Sequence, residues 1–227
     1  MKKLNLLIAM MLFSIAVVFG QNVEERKVGS FDEIQVSQGI DVFLIKGTKE
    51  KVKVEASGID LDEVLTEIYG DRLKIHLEGN RYRNPSVKVY VTYVSLESIA
   101  ASSAATVTAD GIIKADRMDI DVSSAADVEV KVEVNELTLS ASSSGDIEVS
   151  GKTKYLDATT SSAGGVDAYD LEAQIVRVRA SSGSGSKVYA ISEIDAHASS
   201  GASIRFRGNP NKSRTDSSSG GSVRKSN

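Results

Sequence analysis

The side chains with most chemical potential in this sequence are acidic, and they recur at a fixed spacing. Asp127 and Asp146 lie 19 residues apart; Glu129, Glu148 and Asp167 follow one another at the same interval. If that interval is one structural repeat, each set stacks into a column. Two carboxylates brought to about 5 Å can ligate Ca²⁺, which takes hard oxygen ligands, or share acid and base roles. Turn aspartates bonding nearby backbone N–H groups explain the first pair as well. The flanking copies carry Thr106 and Gly165 there, so that column stops at two carboxylates. The second column stacks like charges, which destabilises unless solvent or a cation screens them. It is the better metal candidate of the two, but neither set amounts to a catalytic or metal assignment, and no cofactor is expected.

Other polar columns read more simply. Asp157, Arg177, Asp195 and Arg214 alternate in sign along four copies. That pattern suits an exposed charge ladder, each pair contributing about 0.2–1 kcal/mol, better than a ligand-binding stripe. His76 and His197 are the only 2 histidines and there is no Cys. A zinc site needs about three or four such ligands, so the supply is poor. Tyr155, Tyr169 and Tyr189 recur near the ends of copies and are expected to pack at corners rather than form an aromatic binding surface. Arg205 and Arg207 flank Phe206 and read as the solvated side of a strand.

These residues must be positioned by a repeat. One pattern of small polar residues followed by a β-branched residue starts at Ser102, Ser123, Ser142, Ser161, Ser181, Ser199 and Ser218. Successive copies lie 18 to 21 residues apart, three of the six spacings being 19, and a period near 19 marks a solenoid. Before each Ser, apolar and polar residues alternate: Met118, Ile120 and Val122, then Leu137, Leu139 and Ala141, and so on through Leu156, Ala158 and Thr160, Val176, Val178 and Ala180, and Ile194, Ala196 and Ala198. Period two with apolar residues inward is the mark of a half-buried strand. After the small residues the inward column resumes at Val107, Val128, Ile147, Val166, Val188, Ile204 and Val223. Identical columns stack only if the strands run parallel, about 4.8 Å apart. The fold expected is therefore all-β, a single-stranded parallel β-helix with rungs of about 19 residues. Crossover preference makes it right-handed. The corner itself needs positions that tolerate φ > 0, expected at Gly145, Gly164, Gly165, Gly183, Gly185 and Gly201, with Ser hydroxyls bonding corner carbonyls.

Residues 28–95 are β-rich but irregular, and 96–227 carry the regular rungs. Phe31 to Ile45 alternates around Ser37-Gln38-Gly39, Asp60 to Val64 reads as one helical turn capped by Asp60, and Glu67 to Ile75 as a hairpin turning at Gly70-Asp71. Val87, Val89 and Val91 lead towards the solenoid. Ser37 to Val42 fits the repeat and reads as an early rung separated from the rest by an insertion. On Phe31 to Leu44 with its Gly39-Ile40-Asp41 core, the Gly70 to Ile75 hairpin and the Ser/Gly repeats, the chain resembles the bacterial family called putative auto-transporter adhesin, head GIN domain. It departs at Asp41, where the name motif has Asn; both residues suit turns. The resemblance implies a β-helix similar to pectin-lyase-like proteins without an assigned catalytic site.

Residues 1–20 look like a signal peptide: Lys2 and Lys3, then an apolar run from Leu4 to Phe19, with cleavage before Gln21. The mature domain would be 21–227, exported to the periplasm, the outer surface or the medium, and not membrane-spanning. Removing 2 lysines from 27 basic residues leaves 25 against 31 acidic ones, a formal charge of −6. That acidity opposes nucleic acid as a partner. Without Cys, burial and hydrogen bonding alone must hold the exported fold. The expected function is adhesion or scaffolding through repetitive outer faces, with a surface glycan or a protein as partner. The alternative is a polysaccharide lyase or hydrolase, which needs carboxylates and basic residues converging on one face; the acidic columns show no matched base. An ice-binding surface would need regular outward Thr, which the mixed columns do not provide.

Overall fold

β-Branched and aliphatic residues at every second position leave one favourable arrangement, strands stacked with their apolar sides inward. The computed structural model describes residues 22–79, 82 and 85–226, and in it the chain forms a 17-stranded sheet wound into a parallel solenoid. The expected leader, residues 1–20, and the cleavage point before Gln21 lie outside the described residues. The first seven strands are β1 (Asn22–Arg26), β2 (Glu33–Val36), β3 (Asp41–Lys46), β4 (Lys51–Ser57), β5 (Val64–Tyr69), β6 (Arg72–Leu77) and β7 (Ser86–Tyr93). The regular rungs follow as β8 (Ser98–Ala101), β9 (Thr106–Lys114), β10 (Arg117–Val122), β11 (Asp127–Ala141), β12 (Asp146–Thr160) and β13 (Gly165–Ala180). The last are β14 (Gly185–Ala198), β15 (Ser203–Arg207), β16 (Lys212–Ser217) and β17 (Ser222–Lys225).

Ile120, Leu139, Ala158, Val178 and Ala196 stack residue on residue from β10 to β14, all of them buried. The unequal copy lengths do not disturb this stack. The rung that starts at Ser102 has two residues beyond 19, and Thr108 to Ile112 in β9 faces only Glu129 to Lys131 in β11. The rung from Ser161 has one extra, taken up where Asp167 to Leu171 faces Glu148 to Gly151. The short rung from Ser181 loses its residues where Val188–Tyr189 faces Ala168 to Glu172. Length differences are thus confined to bulges on one stretch, and the columns beside the corner stay aligned. The unbroken register beside the corner corrects one column. Ser186, not Val188, sits between Val166 and Ile204. Its buried hydroxyl is 2.9 Å from Thr160 Oγ1, which also pairs with Ser184 Oγ, so the polar atoms are satisfied internally.

Each corner is a turn with positive φ at its two central residues, such as Ser124 and Ala125 at 54° and 58°, or Ser182 and Gly183 at 53° and 71°. Here Ser and Ala hold most positions that glycine was expected to hold. Of the expected glycines, only Gly183 and Gly201 have positive φ. Gly145 and Gly164 are set by proximity instead: a Cβ would come 2.9 Å from the Val122 backbone and 2.6 Å from that of Ala141. A left-handed Ser or Ala costs about 1–2 kcal/mol. A backbone ladder offsets this: Ala104 N–H donates to Ser124 O at 3.0 Å, Ala125 N–H to Ser143 O at 3.1 Å, and Ser144 N–H to Ser162 O at 3.2 Å. Backbone N–H groups therefore take the corner carbonyls that were assigned to Ser hydroxyls.

Ser37-Gln38-Gly39 is an early corner. β2 pairs with β8, β3 with β9, and Gly39 N–H donates to Ser103 O at 2.9 Å. The insertion after it folds back onto the far side of this rung, with β6 along β2 and β7 along β3. β7 is therefore part of the N-terminal cap and not the approach to the solenoid, because β3 separates it from β9. β4 extends the cap antiparallel to β7, β1 pairs antiparallel with β4 in turn, and β5–β6 is the expected hairpin. Leu61–Glu63 is a single 3₁₀ turn; Asp60 precedes it but makes no side-chain cap bond.

Candidate functional site

The first and third residues after each corner point outward, and parallel register carries them into two straight columns. In the first, Asp127 faces Asp146, flanked by Thr106 on one side and Gly165, Gly185 and Ser203 on the other. In the second, Glu129 faces Glu148, Glu148 faces Asp167, Asp167 faces Lys187, Lys187 faces Arg205, and Arg205 faces Arg224. Both acidic sets read from the spacing are thus neighbours on one face. Between them runs a groove of about 570 Å³, deepened where Gly165 and Gly185 leave no side chain.

Lys187 and Arg205 line this groove together with the five carboxylates. Sequence reasoning had found no base matched to the acids. The signal was present, since Lys187, Arg205 and Arg224 are spaced 18 and 19 apart, but only Arg205 was considered, as the solvated side of a strand. At the junction of the two signs Lys187 Nζ lies 2.7 Å from Asp167, and that bond holds the ammonium above its ordinary pKa. Desolvation raises the Asp146 carboxyl, and the charge of Asp127 beside it raises it further. Among the described residues no three His, Asp or Glu side chains come together in a metal-holding group. The face offers a row of charges projecting in one direction, suited to binding an extended or flat partner.

The remaining candidates are dispersed. Asp157, Arg177, Asp195 and Arg214 do stack in that order, with Arg177 and Asp157 4.0 Å apart, on the strands before the corner. His76 pairs with Glu67 at 2.9 Å in the N-terminal hairpin, and the bond lowers the Glu67 pKa. His197 pairs with Asp216 at 3.0 Å near the other end. Tyr155 does not pack at a corner; it is 51% exposed. Tyr169 carries the Arg207 guanidinium over its ring at 4.0 Å, and its hydroxyl meets Ser226 at 2.8 Å. Of the motif residues, Gly39 supplies a φ of 68°, Ile40 is fully buried, and Asp41 lies between Lys88 and Thr106. Corner residues Ser102, Ser123, Ser142, Ser161, Ser181, Ser199 and Ser218 accept turn bonds at their carbonyls, which is a structural role.

The chain matches the family described as putative auto-transporter adhesin, head GIN domain, over residues 30–210, and it belongs to that family. Its fold is also that of several solved structures. A putative adhesin from Bacteroides fragilis is 16% identical with a TM-score of 0.84, over 91% of this chain and 97% of that one. A putative adhesin from Parabacteroides merdae is 16% identical with a TM-score of 0.71, over 91% and 96%. A putative lipid binding protein from Parabacteroides distasonis is 21% identical with a TM-score of 0.70, over 91% and 97%. At these identities the likeness concerns the fold. No curated protein matches the chain. Among the described residues no helix is long and apolar enough to cross a membrane.

Proposed function

We propose that this member of the head GIN domain family is an exported, non-enzymatic binding protein that adheres to, or scaffolds, a surface partner through its outward columns. The leader at residues 1–20 directs export, and residues 21–227 act as one domain. One observation carries the reading: charged side chains repeat across successive rungs on a straight face, so binding can sum many weak contacts. Catalysis needs a few groups converging on one reacting atom. A glycan or protein surface with ordered polar groups is the partner such a face suits.

The test is adsorption of the purified protein to an array of bacterial and host surface glycans and to immobilised surface proteins. Replacing Glu129, Glu148, Lys187 and Arg205 by Ala, one after another, should weaken adsorption in steps. Adsorption unaffected by all four changes would move binding to another face.

A second reading keeps some support. The groove does place cations beside carboxylates, which is what cleavage of an acidic polysaccharide requires, and the Asp146 carboxyl is held above its usual range. Under that reading Asp127 and Asp146 would be indispensable.

A further inference from the structure

The second column runs from β11 to β17 as Glu129, Glu148, Asp167, Lys187, Arg205 and Arg224, three acids followed by three bases. Read in reverse, every position carries the opposite charge. Of these six described residues, only the central Asp167 and Lys187 are joined by an ion pair within the chain; Glu129, Glu148, Arg205 and Arg224 have none. Stacked like charges destabilise the rungs that carry them, and opposite charges brought against the column from outside relieve that repulsion.

We propose that this face docks a second copy of the same chain, laid antiparallel about a two-fold axis between the Asp167 and Lys187 rungs. That axis sets Glu129 against Arg224, Glu148 against Arg205 and Asp167 against Lys187 of the second copy. Each contact occurs twice, as an isologous interface requires. The first column agrees. Under the same axis Asp146 meets the Ser203 position and Asp127 the Ser222 position, carboxylates facing hydroxyl donors, while Gly165 meets Gly185 and lets the faces close. Parallel face-to-face packing would oppose like charges along the whole column, so the pattern selects one orientation.

Six rungs at about 4.8 Å and about five residues at 3.3 Å give a patch of roughly 480 Å² per copy. The total of roughly 950 Å² falls at the low end for specific interfaces, so the pair is weak and governed by charge. This is the face assigned above to adhesion, so self-association competes with surface binding: a self-associating protein with no glycan partner satisfies the inference, and a glycan binder that stays monomeric does not.

Sedimentation equilibrium of the purified protein at low ionic strength, and again in about 0.5 M NaCl, reads the association directly. The expected result is a dimer weakened at least about tenfold by the salt. Glu148→Arg alone and Arg205→Glu alone should each be monomeric, and mixing the two variants should restore a heterodimer, because one of its two 148–205 contacts is then charge-swapped, the other unaltered, and both attract. Each reversal places its new charge between two opposite ones on the same chain, Glu129 and Asp167 or Lys187 and Arg224, so folding is favoured. Should either variant misfold, Glu148→Gln and Arg205→Gln give the same weakening at smaller amplitude. A wild-type protein monomeric at roughly 0.5 mM in low salt, about the concentration at which such weak contacts still populate dimers, overturns the proposal. So does a dimer indifferent to the reversals, or a mixture that fails to associate.

Discussion

Leu139→Ala tests the stacking of the core where the register is most constrained. Leu139 is fully buried in β11, with Ile120 facing it from β10 and Ala158 from β12. Removing a buried Leu side chain to Cβ costs about 2–5 kcal/mol, and the figure depends on how far the surroundings collapse. Collapse here is restrained from both sides. The β10–β11 and β11–β12 ladders run unbroken from Glu136 to Ala141, and they fix the rung spacing. Ala158 is too short to reach the space vacated beneath it. The loss should therefore fall in the upper half, about 3.5–5 kcal/mol, read as a shift of the urea midpoint followed by circular dichroism. Leu139→Asp should not fold, because no partner exists for a charge in the column. Asp157→Ser, one rung along but facing outward beside Arg177 at 4.0 Å, should lose less than about 1 kcal/mol. A Leu139→Ala loss below about 1.5 kcal/mol, or one equal to that of Asp157→Ser, would refute the inward column.

Three further outcomes follow from the same geometry. Desolvation and Asp127 raise the folded-state pKa of Asp146 above its ordinary value, so the folded protein binds the proton more tightly than the unfolded chain and stability declines as pH rises through that interval. Asp146→Asn should then stabilise at neutral pH by about 0.2–1 kcal/mol after solvent screening, and the gain should vanish below the ordinary carboxylate range; thermal melts at both pH values decide it. Gly183→Ala, at φ 71° with nothing within 4 Å of the added Cβ, should cost no more than about 1 kcal/mol, because reduced freedom of the unfolded chain offsets part of the left-handed penalty. A loss above about 3 kcal/mol by chemical denaturation would mean that the corner ladder does not tolerate side chains there. Amide hydrogen exchange should be fastest from Asn209 onward, where Ser213, Thr215 and Ser217 replace the apolar column and every residue of β16 is exposed; strong protection would reveal a covering surface.

Much of this architecture was legible because period-two alternation and a period near 19 are linear signals. Five inward residues fell into one column from spacing alone, and so did the acidic pairs. The corner chemistry was not legible in the same way. A positive φ at Ala125 or Ser144 is sustained by a hydrogen bond to the next rung, an interaction nonlocal in sequence, so glycine was the wrong marker. Val188 was misassigned because the inward position five residues after Ser181 holds a polar residue, Ser186, and the next apolar residue lies two positions further on. The cap was misread at β7 for a topological reason: the chain lays that strand on the far side of an earlier rung and then crosses back, which alternation cannot encode. The basic half of the candidate face was missed although its spacing matched. Of the three bases only Arg205 was considered, as the solvated side of a strand, and the pairing of Asp167 with Lys187 is what joins the basic run to the carboxylates.

The most direct test of a binding face without chemistry is to incubate the purified protein with pectin and other uronic-acid polymers, with and without Ca²⁺, and follow chain length and new reducing or unsaturated ends. The account predicts no turnover, and retention of any polymer binding within a few-fold when Asp127 and Asp146 are both replaced by Ala. Cleavage of a polymer by the wild-type protein, abolished by that double substitution, would contradict it and make the paired aspartates a catalytic site.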